Sequence, residues 1–126
     1  MGEIKKHNFK KLIIWQESLE LCDQIYLFTE SLPSKEKFNL VLQMEKCAVS
    51  IPSNIAEGSG KRTDLHFAEF LKTSLTSCYE LETQLIICQR RNYGNKNVLE
   101  KLINNVTLLQ SKIYSFREKI NKGKSA

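Results

Sequence analysis

Apolar residues recur three and four positions apart along most of the chain, and a few glycines and prolines divide this pattern into four long segments. Such spacing places apolar side chains on one face of an α-helix, and no alternating strand pattern competes with it. The pattern predicts helices at about residues 12–31, 35–57, 64–91 and 96–121, followed by a short frayed tail at 122–126. Because short connections force neighbouring helices antiparallel, the expected fold is a single all-α domain, an up-down-up-down four-helix bundle.

Each predicted helix has an apolar face that we expect in the core. On the second, third and fourth helices these positions are, in chain order, Phe38, Val41, Ala48, Ile51 and Ile55; Phe67, Leu71, Leu75, Cys78, Leu81 and Leu85; and Val98, Leu102, Val106, Leu109, Ile113, Phe116 and Ile120. The first helix carries two adjoining apolar stripes, one of Ile14, Leu21, Ile25 and Phe28 and a second of Trp15, Leu19, Cys22 and Tyr26. Its apolar face is therefore wider than one bundle requires, and with Trp15, Tyr26 and Phe28 it predicts a surface for self-association.

Three local signals refine the helix boundaries. Thr63 can cap the third helix at its N-terminus, and Gly94 with Asn92 suits the left-handed residues that end it. Pro52 falls inside the second helix, where its missing N–H predicts a kink or a division into two helices. Because the apolar periodicity continues across it, the kinked helix is the favoured interpretation.

The composition indicates one domain without a membrane segment. Of the 126 residues, 41% are hydrophobic and 26% are charged, which is enough apolar content for a core. No apolar run approaches the roughly 18–20 residues of a membrane span, and the polar N-terminus lacks the apolar segment of a signal peptide. We therefore expect a cytoplasmic protein that makes no contact with a membrane.

The cysteines predict neither disulfides nor a metal site. Cys22, Cys47, Cys78 and Cys88 form no Cys-x-x-Cys pair, and the two histidines do not complete a zinc spacing with them. Each cysteine lies among apolar residues at helical spacing, as small buried hydrophobes do in a reducing compartment. The Glu-x-x-His repeats of di-iron bundles do not occur, so we expect no metal and no cofactor.

The net charge of +5 is unevenly distributed. Residues 1–11 carry four lysines and one glutamate, for +3; residues 12–91 carry eight basic and eleven acidic groups, for −3; residues 92–126 carry seven basic and two acidic groups, for +5. If the N-terminus and the fourth helix lie side by side, these charges form a patch that can bind phosphate backbone. Simple solubility is the alternative interpretation.

Polar residues recur on the facing sides of the second and third helices. In an antiparallel hairpin, contacting residues have a constant sum of residue numbers, and four candidate pairs sum to 127: Asn54 with Thr73, Ser50 with Ser77, Cys47 with Glu80, and Gln43 with Gln84. We therefore predict a polar seam whose interhelical hydrogen bonds fix the register. Its members are Gln43, Ser50, Asn54, Glu57, Thr73, Ser77, Glu80 and Gln84.

Three patterns suggest chemistry, and each has a simpler interpretation. Glu57 and Glu80 could form a carboxylate pair, but the register of the seam separates them by several turns. Arg62 and His66 resemble, at short spacing, the Arg–His pair of helical-bundle ribonucleases of the toxin class. Residues 58–63, GSGKRT, follow a helix and lack the Ser/Thr that a phosphate-binding loop places after its lysine. Lys61 and Arg62 could still hold a phosphate at the helix N-terminus, and an ordinary turn is the alternative.

A longer string of residues is specific enough to suggest a family. Trp15-Gln16 and Leu32-Pro33 lead into residues 48–58, AVSIPSNIAEG, and then into residues 80–85, ELETQL. This string resembles the four-helix bundle proteins encoded by 23S rRNA intervening sequences, the S23 ribosomal protein family, over roughly residues 9–114. The resemblance implies a bacterial bundle that assembles into a ring-like homopentamer. It also implies a relation to the accessory protein of diversity-generating retroelements, a basic bundle that binds nucleic acid and a reverse transcriptase.

The chain departs from the family pattern at two places. Glu45-Lys46 stands where the family often has two arginines, which removes positive charge from the second helix. Thr76-Ser77 stands where Gly-Ser is common, which predicts a looser helix contact. The first departure argues against nucleic-acid binding by that face of the second helix.

Two functional hypotheses from different classes follow. The favoured one is a non-enzymatic homo-oligomer that binds RNA or DNA through basic residues, with no catalytic residue. The candidate binding residues are Lys5, Lys6, Lys10, Lys11, Lys61, Arg62, Arg90 and Arg91. The alternative is a scaffold or adaptor that holds another protein in an apolar groove of the oligomer and has no nucleic-acid role.

Overall fold

The computed structural model describes residues 8–125, with side chains for residues 8–121. The four helices are α1 (Ile13–Thr29), α2 (Leu40–Ser59), α3 (Asp64–Arg90) and α4 (Lys96–Ser125). Short 3₁₀ turns at Phe9–Lys11 and Ser34–Glu36 precede α1 and α2. Each helix packs against its neighbour in the chain, and α1 packs against α4 to close the bundle. The predicted all-α four-helix bundle is thereby confirmed.

One core runs through the bundle and is built from the apolar faces of all four helices. Most predicted core positions are buried, including every one named on α3. On α1 the stripe containing Ile14, Leu21, Ile25 and Phe28 faces the core. Leu19 and Tyr26, from the second stripe, remain 38% and 45% exposed. Phe28, which we expected to contribute to a self-association surface, is instead a core residue.

The second helix begins five residues later than predicted, and this displaces one expected core residue. Pro33 is extended, the chain then makes the 3₁₀ turn, and Asn39 adopts φ −128° and ψ −92° before α2 starts. This break turns Phe38 out of the core and leaves it 82% exposed. Phe38 is in phase with the apolar positions of α2. This phase was a misleading signal, because a turn separates Phe38 from the helix.

The fourth helix differs from the prediction at both ends. Leu99 is buried, whereas Val98, the expected core residue, is 44% exposed. The backbone is helical as far as Ser125, beyond the predicted end of the helix at residue 121. A single internal glycine, Gly123, costs about 1 kcal/mol in a helix, too little to end one of 30 residues.

The predicted boundary signals of α3 are confirmed. The backbone N–H of His66 donates to Thr63 Oγ1 at 3.2 Å, which caps α3. Asn92 and Gly94 have φ values of +58° and +68° in the connection that ends it. In α2, Pro52 is buried within a single continuous helix, so the division into two helices does not occur.

The last turn of α2 comes into close contact with the first turns of α3. Gly58 is buried, and a Cβ atom added there would lie 2.6 Å from Phe70 Cβ and 2.9 Å from Phe67 Cδ1. The absence of a side chain thus permits the approach of α2 to the first turns of α3. Gly60 caps α2 with φ −90°, a conformation open to other residues, so its glycine is not required by the backbone.

The topology gives the bundle two ends with different residues. At one end, which we call the N-terminal end, α1 begins, α2 ends, α3 begins and α4 ends. At the opposite end lie the α1–α2 connection and the α3–α4 connection. The first of these connections is tied to the second by Tyr93, whose Oη donates to Glu36 Oε2 at 2.8 Å.

Candidate nucleic-acid interface

The candidate basic residues divide between the two ends of the bundle. Lys10 and Lys11 are exposed on the 3₁₀ turn before α1, at the N-terminal end shared with Lys61 and Arg62. Arg90 and Arg91 are exposed where α3 ends, at the opposite end. The four basic residues at the N-terminal end and the two arginines at the opposite end therefore do not form one surface. The remaining candidates, Lys5 and Lys6, lie outside the described residues.

Local hydrogen bonds and one aromatic contact hold the 3₁₀ turn in place. Asn8 Oδ1 accepts from the Lys10 backbone N–H at 3.2 Å, and Gln16 Nε2 donates to the Lys10 carbonyl at 2.9 Å. The rings of Phe9 and Trp15 meet edge to face, with centroids 5.1 Å apart. The Trp15-Gln16 pair of the family string thus positions the two exposed lysines relative to α1.

A groove runs between the start of α1 and the C-terminal half of α4. Lys11, Lys112 and Lys119 contribute positive charge to it. Its apolar lining includes Ile13, which is 62% exposed. We call this the α1/α4 basic groove; its full lining is Lys11, Leu12, Ile13, Ile14, Glu17, Ser111, Lys112, Ser115, Phe116 and Lys119.

The charges in the α1/α4 basic groove are partly neutralised. Lys112 Nζ lies 2.8 Å from Glu17 Oε1 and 2.9 Å from Oε2, in an exposed ion pair. Within the part of the chain that the structure describes, Lys11 and Lys119 have no carboxylate partner of this kind. The three lysines and one glutamate leave a net charge of +2 in the groove, which favours a polyanionic ligand.

Lys112 and Lys119 belong to the groove but were not among the candidate residues. They are seven positions apart on α4 and hence on one helical face. That spacing was available in the sequence, but only the placement of α4 beside Lys11 shows that this face meets the N-terminal turn. The proximity of the N-terminal segment and the fourth helix, on which the basic patch was conditional, is thus present at Lys11.

The turn between α2 and α3 has the geometry of an interhelical connection. Lys61 is half-buried, with Nζ 4.9 Å from the centroid of the Phe70 ring, a cation–π distance. Ser59 is buried and donates to the Ala56 carbonyl at 2.7 Å. Two of the residues that a phosphate-binding turn would present are therefore engaged within the protein. Arg62 and His66 are exposed on this connection and the first turn of α3.

The polar seam between α2 and α3 contains interhelical contacts at two of the four expected pairs. Ser50 Oγ and Ser77 Oγ are 2.8 Å apart, and Cys47 Sγ donates to Glu80 Oε1 at 3.7 Å. Asn54 instead donates to the Ser50 carbonyl of its own helix at 2.8 Å.

The remaining seam members differ in their contacts. Thr73 donates to the Glu69 carbonyl on its own helix at 3.3 Å. Gln43 and Gln84 line one groove together with Cys47, Glu80, Ser50 and Ser77. Glu57 does not line this groove and is exposed near the end of α2. The geometry therefore gives no support to a catalytic pair of Glu57 and Glu80.

One buried polar atom in the seam is unsatisfied. Gln84 is 9% exposed, and its Nε2 donates to Cys47 Sγ at 3.5 Å. Among the described residues, Gln84 Oε1 has no hydrogen-bond partner. Burial raises the pKa of the Cys47 thiol, so this group is protonated at neutral pH and acts as the donor to Glu80.

All four cysteines are free thiols. Burial raises the pKa of Cys78 to about 12 and that of Cys88 to about 11. Such thiols are unreactive at neutral pH, as expected of small core residues. Within residues 8–121, no group of three or more His, Cys, Asp or Glu side chains is arranged to hold a metal ion.

An exposed apolar strip lies on the outer side of α1 and α2. Thr29 Oγ1 donates to Glu45 Oε2 at 2.7 Å and joins the two helices. Tyr26 is three residues from Thr29, and Leu42 and Val49 are three and four residues from Glu45, so all three flank this bond. They are 45%, 57% and 42% exposed, respectively. We call Tyr26, Leu42 and Val49 the α1/α2 apolar strip.

The sequence model of the 23S rRNA-intervening sequence proteins matches residues 10–115. The chain belongs to this family. A solved structure of similar fold is a protein of unknown function from the S23 ribosomal protein family of Bacteroides thetaiotaomicron. It is 23% identical, covers 84% of this chain and 96% of its own, and superposes with a TM-score of 0.77. No curated protein matches the sequence.

For this 23S rRNA-intervening sequence protein, the structural relative supports the bundle fold and carries no assignment of activity. The identity of 23% limits the likeness to architecture. No helix of the described residues is long and apolar enough to cross a membrane.

Proposed function

We propose that this 23S rRNA-intervening sequence protein is a non-enzymatic homo-oligomer that binds nucleic acid at the N-terminal end of its bundle. The observation that carries the proposal is the α1/α4 basic groove, in which Lys11 and Lys119 lie beside exposed apolar surface. Lysines that face phosphates release condensed counterions, and this release supplies most of sequence-independent affinity.

Self-association is supported by the α1/α2 apolar strip. Three large apolar side chains, Tyr26, Leu42 and Val49, are each more than two-fifths exposed on adjoining helices. Exposed apolar patches of this kind mark protein interfaces. The family resemblance makes the expected oligomer a pentameric ring, and sedimentation equilibrium measures its mass directly.

The test of nucleic-acid binding uses the two ends of the bundle as internal controls. Fluorescence anisotropy with labelled RNA and DNA, from 50 to 300 mM salt, should give a log K that falls linearly with log salt. The paired variant Lys11→Gln with Lys119→Gln should reduce the magnitude of the slope by about 1.4 on single strands, about 0.7 per lost phosphate contact. The matched variant Arg90→Gln with Arg91→Gln removes the same charge at the opposite end and should leave the slope unchanged.

Two outcomes would contradict the proposal. If neither RNA nor DNA binds at 50 mM salt, the protein has no nucleic-acid role of this type. If the Arg90 and Arg91 variant loses as much affinity as the Lys11 and Lys119 variant, net charge alone drives binding and the groove is not the site.

The alternative function, a scaffold for another protein, is favoured by a second groove. It lies between the end of α1 and the start of α4 and is about 300 Å³ in volume. Leu27, 72% exposed, and Val98, 44% exposed, contribute its outer apolar surface. A protein partner should remain bound in a pull-down from nuclease-treated lysate, and Leu27→Ser should release it.

A further inference from the structure

We infer that the ligand of the α1/α4 basic groove is a single strand of nucleic acid rather than a duplex. This inference rests on the proposed function and specifies its substrate class. The groove combines positive charge with apolar surface. A duplex and a single strand present different chemistry to such a surface.

The apolar part of the groove lies between its charged positions. Ile13 is 62% exposed, and Leu12 and Phe116 are half-buried. The Phe116 ring packs edge to face on Phe67, with centroids 5.7 Å apart, which fixes its orientation. The groove therefore contains apolar surface that cannot form hydrogen bonds with water, and its aromatic ring is held in one orientation.

A duplex offers little apolar surface to this groove. Its base faces are stacked inside, and only base edges, sugars and charged phosphates face outwards, so contact with Ile13 mainly removes water from phosphate groups. A single strand has unstacked bases, and the flat apolar face of any base can cover aliphatic and aromatic side chains. The groove is thus complementary to a strand whose bases turn inward.

The charged part of the groove is complementary to the backbone of the same strand. Lys11 lies on the turn before α1, and Lys112 and Lys119 lie one above the other on α4. The exposed hydroxyls of Ser111 and Ser115 lie in the same groove and can donate to phosphate oxygens. Positive charge that follows a groove beside apolar surface is the arrangement by which proteins bind single strands without reading sequence.

The test compares one 20-nucleotide RNA with the duplex that it forms with its complement. Anisotropy titrations at 100 mM salt should show tighter binding of the single strand. Ile13→Ser should weaken single-strand binding by roughly three- to tenfold, the range for one exposed apolar contact, and leave duplex binding unchanged. Leu65→Ser is the matched control, because Leu65 is similarly exposed, at 56%, on α3 at the same end but outside the groove.

The outcomes separate this inference from the proposed function. Equal binding of both forms, or equal loss on both for Ile13→Ser, would overturn the single-strand inference while nucleic-acid binding stands. Competition by poly-glutamate as strong as that of the RNA at equal charge would also overturn it, since an acidic polypeptide would then suffice. Absence of binding to either RNA form and to DNA would end the proposed function itself.

Discussion

Replacing Gly58 with alanine should weaken the packing of α2 on α3. Gly58 is buried, and an added Cβ would lie 2.6 Å from Phe70 Cβ and 2.9 Å from Phe67 Cδ1. The first contact is with an atom bonded directly to the backbone, so a rotamer change cannot relieve it. The two helices must separate by several tenths of an ångström, which loosens the core around Phe67.

The magnitude follows from two opposing effects. Gly→Ala within a helix gains about 1 kcal/mol, because alanine loses less conformational entropy on folding. Overpacking a close contact costs about 1–3 kcal/mol, and the contact with Phe70 Cβ places Gly58→Ala at the upper end. The expected net loss is about 1–2 kcal/mol. With an unfolding entropy of about 0.26 kcal/mol/K for 126 residues, the Tm should fall by about 4–8 °C.

Gly60→Ala is the matched control two residues away. Its added Cβ would meet only the Glu57 carbonyl oxygen, at an ordinary 3.7 Å, and its φ of −90° suits alanine. Stability should be unchanged or higher by about 0.4–1 kcal/mol. Calorimetry at one fixed protomer concentration measures both variants, since Tm depends on concentration in an oligomer. Equal Tm values for Gly58→Ala and the wild type would refute the packing argument.

Three further predictions concern single polar contacts. Thr29→Val should lower the free energy of unfolding by about 1–3 kcal/mol in urea titrations, because it leaves the half-buried Glu45 carboxylate without its donor. Hydrogen bonding by Tyr93 lowers the pKa of Glu36, so the bond adds stability that is present above the ordinary Glu pKa and is lost as pH falls below it. Tyr93→Phe should therefore be less stable than the wild type at pH 7 in urea titrations, and the difference should narrow as the pH falls below the ordinary Glu pKa. Gln84→Met should leave stability unchanged or raise it by about 1 kcal/mol in thermal melts, because it removes an unsatisfied buried oxygen.

The fold was largely predictable because it rests on local signals. Helical periodicity depends on residues within two turns of each other, and the cap at Thr63 joins two residues only three positions apart. Phe38 shows where this reasoning fails. Its exposure results from the backbone of Asn39, the N-cap of α2, and from a turn that interrupts the helix without interrupting the periodicity.

The candidate interface was predictable only in part because it depends on the order of the helices in space. The sequence identified Lys10 and Lys11, and the constant sum of 127 placed Ser50 beside Ser77. The sequence also grouped Arg90 and Arg91 with Lys10 and Lys11, because residue type does not show which end of the bundle a side chain occupies. Antiparallel topology alone would have separated these two arginines from the N-terminal lysines.

The role of Glu45 was likewise hidden in the sequence. As a departure from the family pattern it indicated only a loss of positive charge. In the structure its carboxylate accepts the hydrogen bond from Thr29 and joins α1 to α2. The acidic residue therefore stabilises the helix pair that carries the α1/α2 apolar strip.

Self-association and nucleic-acid binding should depend on each other. One groove with two or three phosphate contacts binds weakly at physiological salt, whereas a ring that presents several grooves to one strand gains affinity from effective concentration. The double variant Leu42→Ser with Val49→Ser should lower the sedimentation mass and weaken binding of a long RNA by roughly 100-fold or more. An oligonucleotide too short to reach two grooves should bind both proteins equally. If long RNA binds the smaller species as tightly as the wild type, each groove acts alone and the coupling is wrong.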